Sequence, residues 1–172
     1  MSTYTLGPEH GTLAVRTGRT GKVAKAGHDL LLVVTEWSAT LDLGDAPGLA
    51  LDADATSLRV REATGGIKPL GDDDVESIES TIDDEVLLRR DIRFRSTAVE
   101  RRGDTLAVRG ALTLVGKTRP IAFDLELAGG RVTGTAVVRQ TEWGIKPYSA
   151  LFGALKVADE VRVEVDAALP AH

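Results

Sequence analysis

The chain has 172 residues, of which 42% are hydrophobic and 27% charged, as is ordinary for a globular protein with a sizeable core. Its formal net charge of −5 disfavours nucleic acid as a partner, because phosphate binding needs a positive field. The absence of cysteine excludes disulfides, thiolate metal sites and cysteine nucleophiles.

The sequence gives no sign of a targeting or membrane-spanning segment. Its first ten residues lack a basic region followed by an apolar core, so no signal peptide is expected. The longest uninterrupted apolar run is Leu30 to Val34, which is far too short to span a bilayer. We therefore expect a cytoplasmic protein without a membrane span, folded as a single domain over residues 1–172.

Segments in which apolar and polar residues alternate recur through most of the chain, separated by Gly-containing turns. In the longest of them, Trp37, Ala39 and Leu41 share one face. The predicted strands are Thr12 to Arg16, His28 to Leu43, Leu49 to Asp54, Ser57 to Arg61, Ile92 to Val99, Thr105 to Val115, Pro120 to Leu127, Arg131 to Arg139 and Val161 to Leu169. Eight or nine antiparallel strands are typical of a closed barrel or a sandwich, so the predicted class is mainly β.

One segment breaks this pattern and predicts a single amphipathic helix over residues 73–84. Val75, Ile78 and Ile82 recur there at helical spacing, and an aspartate at the start can cap the first turn. We expect the helix to lie over the mouth or the edge of the barrel, held by these three apolar side chains.

The hairpin at residues 110–127 is the most regular part of the pattern. Leu112 and Leu114 alternate with other residues before the turn, and Ile121 and Phe123 do so after it. The Gly-Lys-Thr sequence in the turn has the wrong glycine spacing for a phosphate-binding loop, and a strand follows where a helix would be needed. The pattern therefore predicts two strands with one buried face and no nucleotide site.

Three of the seven aromatic residues fall within residues 141–152, namely Trp143, Tyr148 and Phe152. Loops rarely carry so many large apolar side chains unless they cover a core or line a pocket. Both interpretations, a plug for the end of the barrel and a pocket wall, remain open from the sequence.

The tetrapeptide Gly-Ile-Lys-Pro occurs twice, at residues 66–69 and 144–147. Proline and glycine mark corners of the chain, so the two copies can bring Lys68 and Lys146 to the same rim. A lysine beside aromatic side chains would suit a ligand with an apolar body and an anionic head.

No arrangement of residues predicts catalysis or metal binding. The three histidines have no ligand spacing, no serine lies in a nucleophile elbow, and no pair of carboxylates stands out. His28 opens a strand, where a hydrogen-bonded structural role is favoured over a ligand contact. We expect no catalytic residue, no metal and no cofactor.

The hairpin Gly110-Ala-Leu-Thr-Leu-Val-Gly-Lys-Thr-Arg-Pro-Ile, with the alternating strand after it, resembles the signature hairpin of the YceI-like family of polyisoprenoid-binding proteins. The resemblance runs from about Tyr4 to Leu169. Further segments similar to the family are Ile92 to Thr97, Gln140 to Ile145, Ala158 to Val165 and the early His28.

The resemblance implies an extended, lipocalin-like antiparallel barrel crossed by a helix, in which some members hold a long isoprenoid in an apolar tunnel. The chain departs from the family over residues 72–91, where many members carry an Arg-Asp-x-His-Leu stretch followed by aromatic residues. On this basis the leading hypothesis is a non-catalytic carrier for an apolar small molecule: an isoprenoid, a quinone or a polyprenyl phosphate.

Candidate ligand-binding residues follow from this hypothesis. The proposed wall consists of Trp37, Leu41, Phe94, Leu112, Leu114, Phe123, Trp143 and Phe152, and the residues that could meet a head group are His28, Lys68, Lys146 and Tyr148. Two alternatives stay open: a small isomerase or cyclase that uses His28 or a carboxylate, and a protein-interaction module with a filled barrel. A homodimer is compatible with any of them.

Overall fold

The computed structural model describes residues 3–20, 29–64, 71–146, 149–150 and 155–170. Most of this chain is strand, in agreement with the alternating sequence pattern, and one short helix accompanies it. The strands are β1 (Thr3–Leu6), β2 (Gly11–Thr20), β3 (Asp29–Val34), β4 (Trp37–Asp42), β5 (Gly48–Ala53), β6 (Leu58–Thr64), β7 (Ile92–Arg102), β8 (Thr105–Leu114), β9 (Lys117–Ala128), β10 (Arg131–Arg139), β11 (Ser149–Ala150) and β12 (Leu155–Ala168), and the helix is α1 (Asp72–Thr81).

The strands form one curled antiparallel sheet, a half-barrel, which confirms the predicted fold class. Its order is β1-β4-β5-β7-β8-β9-β10-β12-β2-β3-β6, with β11 paired to β12. Because successive side chains of a strand point to opposite faces, the curled sheet collects one set of apolar side chains on its concave side. That concave side contains the core.

Two long stretches of chain contribute to both ends of this strand order. Residues 29–42 form β3 and β4, residues 48–64 form β5 and β6, and the two stretches run antiparallel to each other throughout. Both bend at the same level: Thr35 N–H donates to Ser57 O at 2.9 Å, and Asp54 N–H donates to Glu36 O at 3.0 Å. The bend divides the sheet into two arms: β4 and β5 belong to one arm, and β3 and β6 belong to the other.

The prediction of one strand over residues 28–43 is therefore wrong at Thr35 and Glu36, where the chain leaves one arm and enters the other. A 3₁₀ turn, Ala55–Ser57, makes the matching break in the neighbouring stretch. Asp54 caps this turn by accepting hydrogen bonds from the backbone and hydroxyl of Thr56, and these bonds lower the pKa of its carboxyl.

The described residues contain twelve strands rather than the predicted eight or nine. Part of the excess comes from the bend, which divides one predicted strand into two. The other additions, β1 and β11, have only four and two residues, too few to show a period-two pattern.

The turn between β8 and β9 explains the Gly-Lys-Thr sequence. Val115 and Gly116 both have positive φ, 46° and 77°, as the tightest hairpin turns require. Glycine adopts this conformation without strain, so Gly116 serves the turn geometry. The rejection of a phosphate-binding loop agrees with this arrangement.

The helix begins one residue earlier than predicted, and α-helical geometry ends at Thr81. The chain continues through a π-helical turn, Ile82–Val86, closed by a bond from Leu87 N–H to Ile82 O at 2.9 Å. We call residues 72–87 the cover. No helix in the described part of the chain is both long enough and apolar enough to cross a membrane.

Candidate ligand-binding cavity

The concave side of the sheet contains a cavity of about 260 Å³. Side chains from both arms of the sheet, from the cover and from the residues after β10 border it. Aliphatic and aromatic residues make up nearly all of the wall: Leu6, Leu13, Val15, Leu30, Leu32, Val34, Trp37, Ala39, Leu41, Leu49, Leu51, Ala53, Leu58, Ile78, Ile82, Val86, Leu87, Ile92, Phe94, Leu112, Leu114, Ile121, Phe123, Leu125, Val132, Ala136, Val138, Ile145, Val161, Val163 and Val165.

Few polar groups interrupt this wall. Thr17, Thr81, Thr135 and Gln140 border the cavity, and no charged side chain of the described residues does. Thr17 Oγ1 accepts a hydrogen bond from Leu30 N–H at 3.1 Å, and Gln140 Nε2 donates to Ala158 O at 3.2 Å. The described part of this wall can bind an apolar body and carries no acid–base pair.

Two aromatic rings meet in the wall formed by β7, β8 and β9. The rings of Phe94 and Phe123 have their centroids 5.4 Å apart and are tilted by 56°, a favourable arrangement for an aromatic pair. Gly110 of β8 makes room for Phe94, because a Cβ at this position would lie 2.5 Å from the ring of Phe94 and from Arg95 O. The glycine that opens the signature hairpin is thus a packing requirement of the cavity wall.

The cover closes the cavity from the side of β6. Ile78 and Ile82, two of the three residues predicted to hold the helix on the barrel, border the cavity together with Val86. At the surface, Glu79 Oε2 accepts a hydrogen bond from Val60 N–H at 2.8 Å. Since β6 ends the strand order, this carboxylate satisfies a backbone donor that has no neighbouring strand.

We expect Glu79→Ala to loosen the cover. The change leaves Val60 N–H without its acceptor, and hydrogen bonds to charged groups contribute about 1.5–3 kcal/mol. Amide exchange at Val60, measured by NMR, should become at least about tenfold faster.

Two variants serve as controls for this prediction. Glu76→Ala removes an exposed carboxylate of the same helix, and Glu79→Gln keeps an oxygen acceptor at the same position. Both should leave Val60 close to its original exchange rate. Unchanged protection in Glu79→Ala would show that the bond does not hold the cover in place.

The cover also carries a carboxyl group in unfavourable surroundings. Burial raises the pKa of Asp83, and the nearby charges of Arg59 and Arg89 oppose this effect. Its Oδ1 atom is buried and has no hydrogen-bond partner among the described residues. Asp83 does not border the cavity, so the cost of burying its carboxyl group affects the packing of the cover and not the cavity wall.

A 3₁₀ turn, Gln140–Trp143, packs against the sheet after β10. Trp143 is fully buried, and its indole N–H donates to Leu112 O at 2.9 Å. Asp159 accepts hydrogen bonds from Thr141 N–H and Oγ1 at 2.8 and 2.7 Å, which lower its pKa. A lowered carboxyl pKa stabilises the fold above the group's ordinary pKa, and this contribution is lost as pH falls through the lowered value.

A family model for the YceI-like domain matches residues 4–169, almost the whole chain. The chain belongs to the YceI family. Family membership is consistent with a barrel that acts as a binding protein. No curated protein sequence is significantly similar to this YceI chain.

Solved structures show the same fold. Burkholderia cenocepacia BcnA matches with a TM-score of 0.63 at 16% identity, over 91% of this chain and 94% of BcnA. A Campylobacter jejuni YCEI protein matches with a TM-score of 0.61 at 12% identity, over 82% of this chain and 85% of the other. At these identities the similarity establishes the architecture and leaves the ligand open.

Six of the side chains predicted to line the YceI cavity do border it. They are Trp37, Leu41, Phe94, Leu112, Leu114 and Phe123. Their contact with a ligand stays a prediction.

The other predicted site residues lie elsewhere or are not described. Trp143 is not in the wall, because its bond to Leu112 O holds it beneath the 3₁₀ turn. Lys146 is exposed and does not border the cavity. His28, Lys68, Tyr148 and Phe152 lie outside the described residues, so the expected rim of Lys68 and Lys146 is untested.

Sequence reasoning missed much of the wall of this YceI domain. Val161, Val163 and Val165 of β12 border the cavity, as do Leu13 and Val15 of β2. Their period-two alternation was visible in the sequence, but it identifies a buried face without showing what that face encloses.

Proposed function

We propose that this protein is a non-catalytic carrier that holds an apolar, isoprenoid-like molecule in the cavity. The observation that carries the proposal is the cavity of about 260 Å³ with a wall of aliphatic and aromatic side chains. Ligand sites are typically concave and mostly apolar, with a few polar groups that fix orientation.

The volume limits the part of a ligand that the cavity can enclose. An engineered cavity of about 150 Å³ binds benzene, which has six carbons, so the volume here suits about ten carbons. Two isoprene units contain that number. A longer prenyl chain would have to extend past the cover or the neighbouring loops.

Burial of such a group is sufficient for binding. At about 0.8 kcal/mol per buried CH₂, ten carbons contribute about 8 kcal/mol before the cost of association. That gross value corresponds to a Kd of about 1 μM, which is an upper limit on the affinity because the cost of association weakens it.

The alternative functions receive less support. A protein-interaction module with a filled barrel would leave no internal volume, whereas this sheet encloses space. An isomerase or cyclase would need a positioned acid or base at its substrate, whereas the described wall carries no charged side chain.

Organic extraction followed by mass spectrometry tests the proposal. Protein purified without detergent is extracted, and the extract is compared with that of a variant whose cavity is filled, Ala39→Phe. We expect a prenyl-type molecule in the first extract and its depletion in the second. Repeatedly ligand-free protein that also fails to take up prenyl alcohols and prenyl quinones would refute the carrier function.

A further inference from the structure

The two tryptophans of this chain are both buried, but their indole N–H groups differ. Trp143 donates to Leu112 O at 2.9 Å. Trp37, with only 6% of its surface exposed, has no hydrogen-bond acceptor for Nε1 among the described residues. Buried tryptophan N–H groups usually find a partner, and leaving one unpaired costs about 1–3 kcal/mol.

Trp37 lies in the cavity wall. It opens β4 opposite Ala53 of β5, next to the bend where the two arms of the sheet separate. The wall residues that follow it on the same face of β4 are Ala39 and Leu41, neither of which offers an acceptor. The described part of the wall therefore contains a buried donor without an acceptor.

The polar side chains elsewhere in the wall do not meet this donor. Thr17 and Gln140 make their hydrogen bonds to the backbone of other segments, and none of the four polar wall residues accepts a hydrogen bond from Trp37 Nε1. The nitrogen has almost no accessible surface, so bulk water does not reach it. Trp37 borders the cavity, and a bond to a ligand there requires its ring to turn until Nε1 faces the cavity.

We propose that Trp37 Nε1 donates a hydrogen bond to an oxygen of the bound ligand and so fixes its orientation. This inference rests on the carrier function proposed above and narrows the ligand class. The molecule is an apolar chain with a carbonyl or hydroxyl oxygen near its enclosed end, not a pure hydrocarbon. A buried donor left without its acceptor discriminates against ligands that lack one.

Two matched probes and one variant test the inference. The probes are geranylacetone, a short prenyl ketone, and the hydrocarbon in which a methylidene group replaces the carbonyl oxygen. Trp37→Phe keeps an aromatic ring and removes the N–H. We expect this variant to lose about fivefold to tenfold in affinity for the ketone while its affinity for the hydrocarbon changes less than about twofold.

NMR of the unmodified protein gives an independent readout that does not depend on the variant folding. The Trp37 indole N–H resonance should move downfield on addition of the ketone and much less on addition of the hydrocarbon. The bonded indole of Trp143 is an internal control and should hardly move with either probe.

The outcomes separate the two proposals. Equal losses for both probes in Trp37→Phe, or no selective shift of the Trp37 resonance, would refute the donor role while leaving the carrier function intact. Failure of the unmodified protein to bind either probe would refute the carrier function, and the donor role with it.

Discussion

Ala39→Phe is expected to lower the affinity for a short prenyl ligand by at least about tenfold. Ala39 is buried on the concave face of β4 and borders the cavity. A phenyl ring placed there takes space from the ligand. Loss of about 60 Å² of apolar contact corresponds to about 1.5 kcal/mol, which is about tenfold in Kd.

The neighbouring position provides a matched control for this variant. Thr40 is exposed on the opposite face of the same strand, so Thr40→Phe adds the same ring outside the cavity. Titration of both variants with geraniol, followed by tryptophan fluorescence, should show weak binding only in Ala39→Phe. Ala53→Leu narrows the same cavity from β5 and covers the case in which Ala39→Phe does not fold. Full affinity in both cavity variants would place the ligand elsewhere.

Trp143→Ala is expected to cause the largest loss of stability, about 3–5 kcal/mol in the free energy of unfolding. The side chain is fully buried and supplies the hydrogen bond that ties the 3₁₀ turn to β8. Its removal leaves a large void and deletes the hydrogen bond to Leu112 O. Urea unfolding followed by circular dichroism measures the effect.

Two further variants separate the contributions at this position. Trp143→Phe removes the N–H donor but keeps much of the buried volume, so it should lose less stability than Trp143→Ala. Glu142→Ala changes an exposed residue of the same turn and should be nearly neutral. A loss below about 1 kcal/mol in Trp143→Ala would mean that the turn does not secure the end of the sheet.

Much of the fold could be predicted because strand and helix periods are local. The alternation of Trp37, Ala39 and Leu41 correctly identified the buried face of β4. Likewise, the spacing of Ile78 and Ile82 identified the face of the cover that meets the cavity. The family resemblance was confirmed by the match over residues 4–169.

The features that were missed depend on contacts between distant segments. The bend at Thr35 and Glu36 is fixed by Asp54 and Ser57. Likewise, the bond from Val60 to Glu79 joins the open edge of β6 to the cover. The indole N–H of Trp37 is unpaired because the fold brings no hydrogen-bond acceptor of the described residues to it. No local sequence pattern encodes such relationships.

The most direct test of the carrier function is the position of a bound prenyl chain in the protein. Isotope-filtered NOE spectroscopy on the complex with geraniol measures which protein protons lie near the ligand. We predict NOEs from the prenyl methyl groups to Leu41, Ile121 and Val163, which face the cavity from three different strands. NOEs confined to exposed residues such as Leu88 and Val137, or none at all, would contradict it.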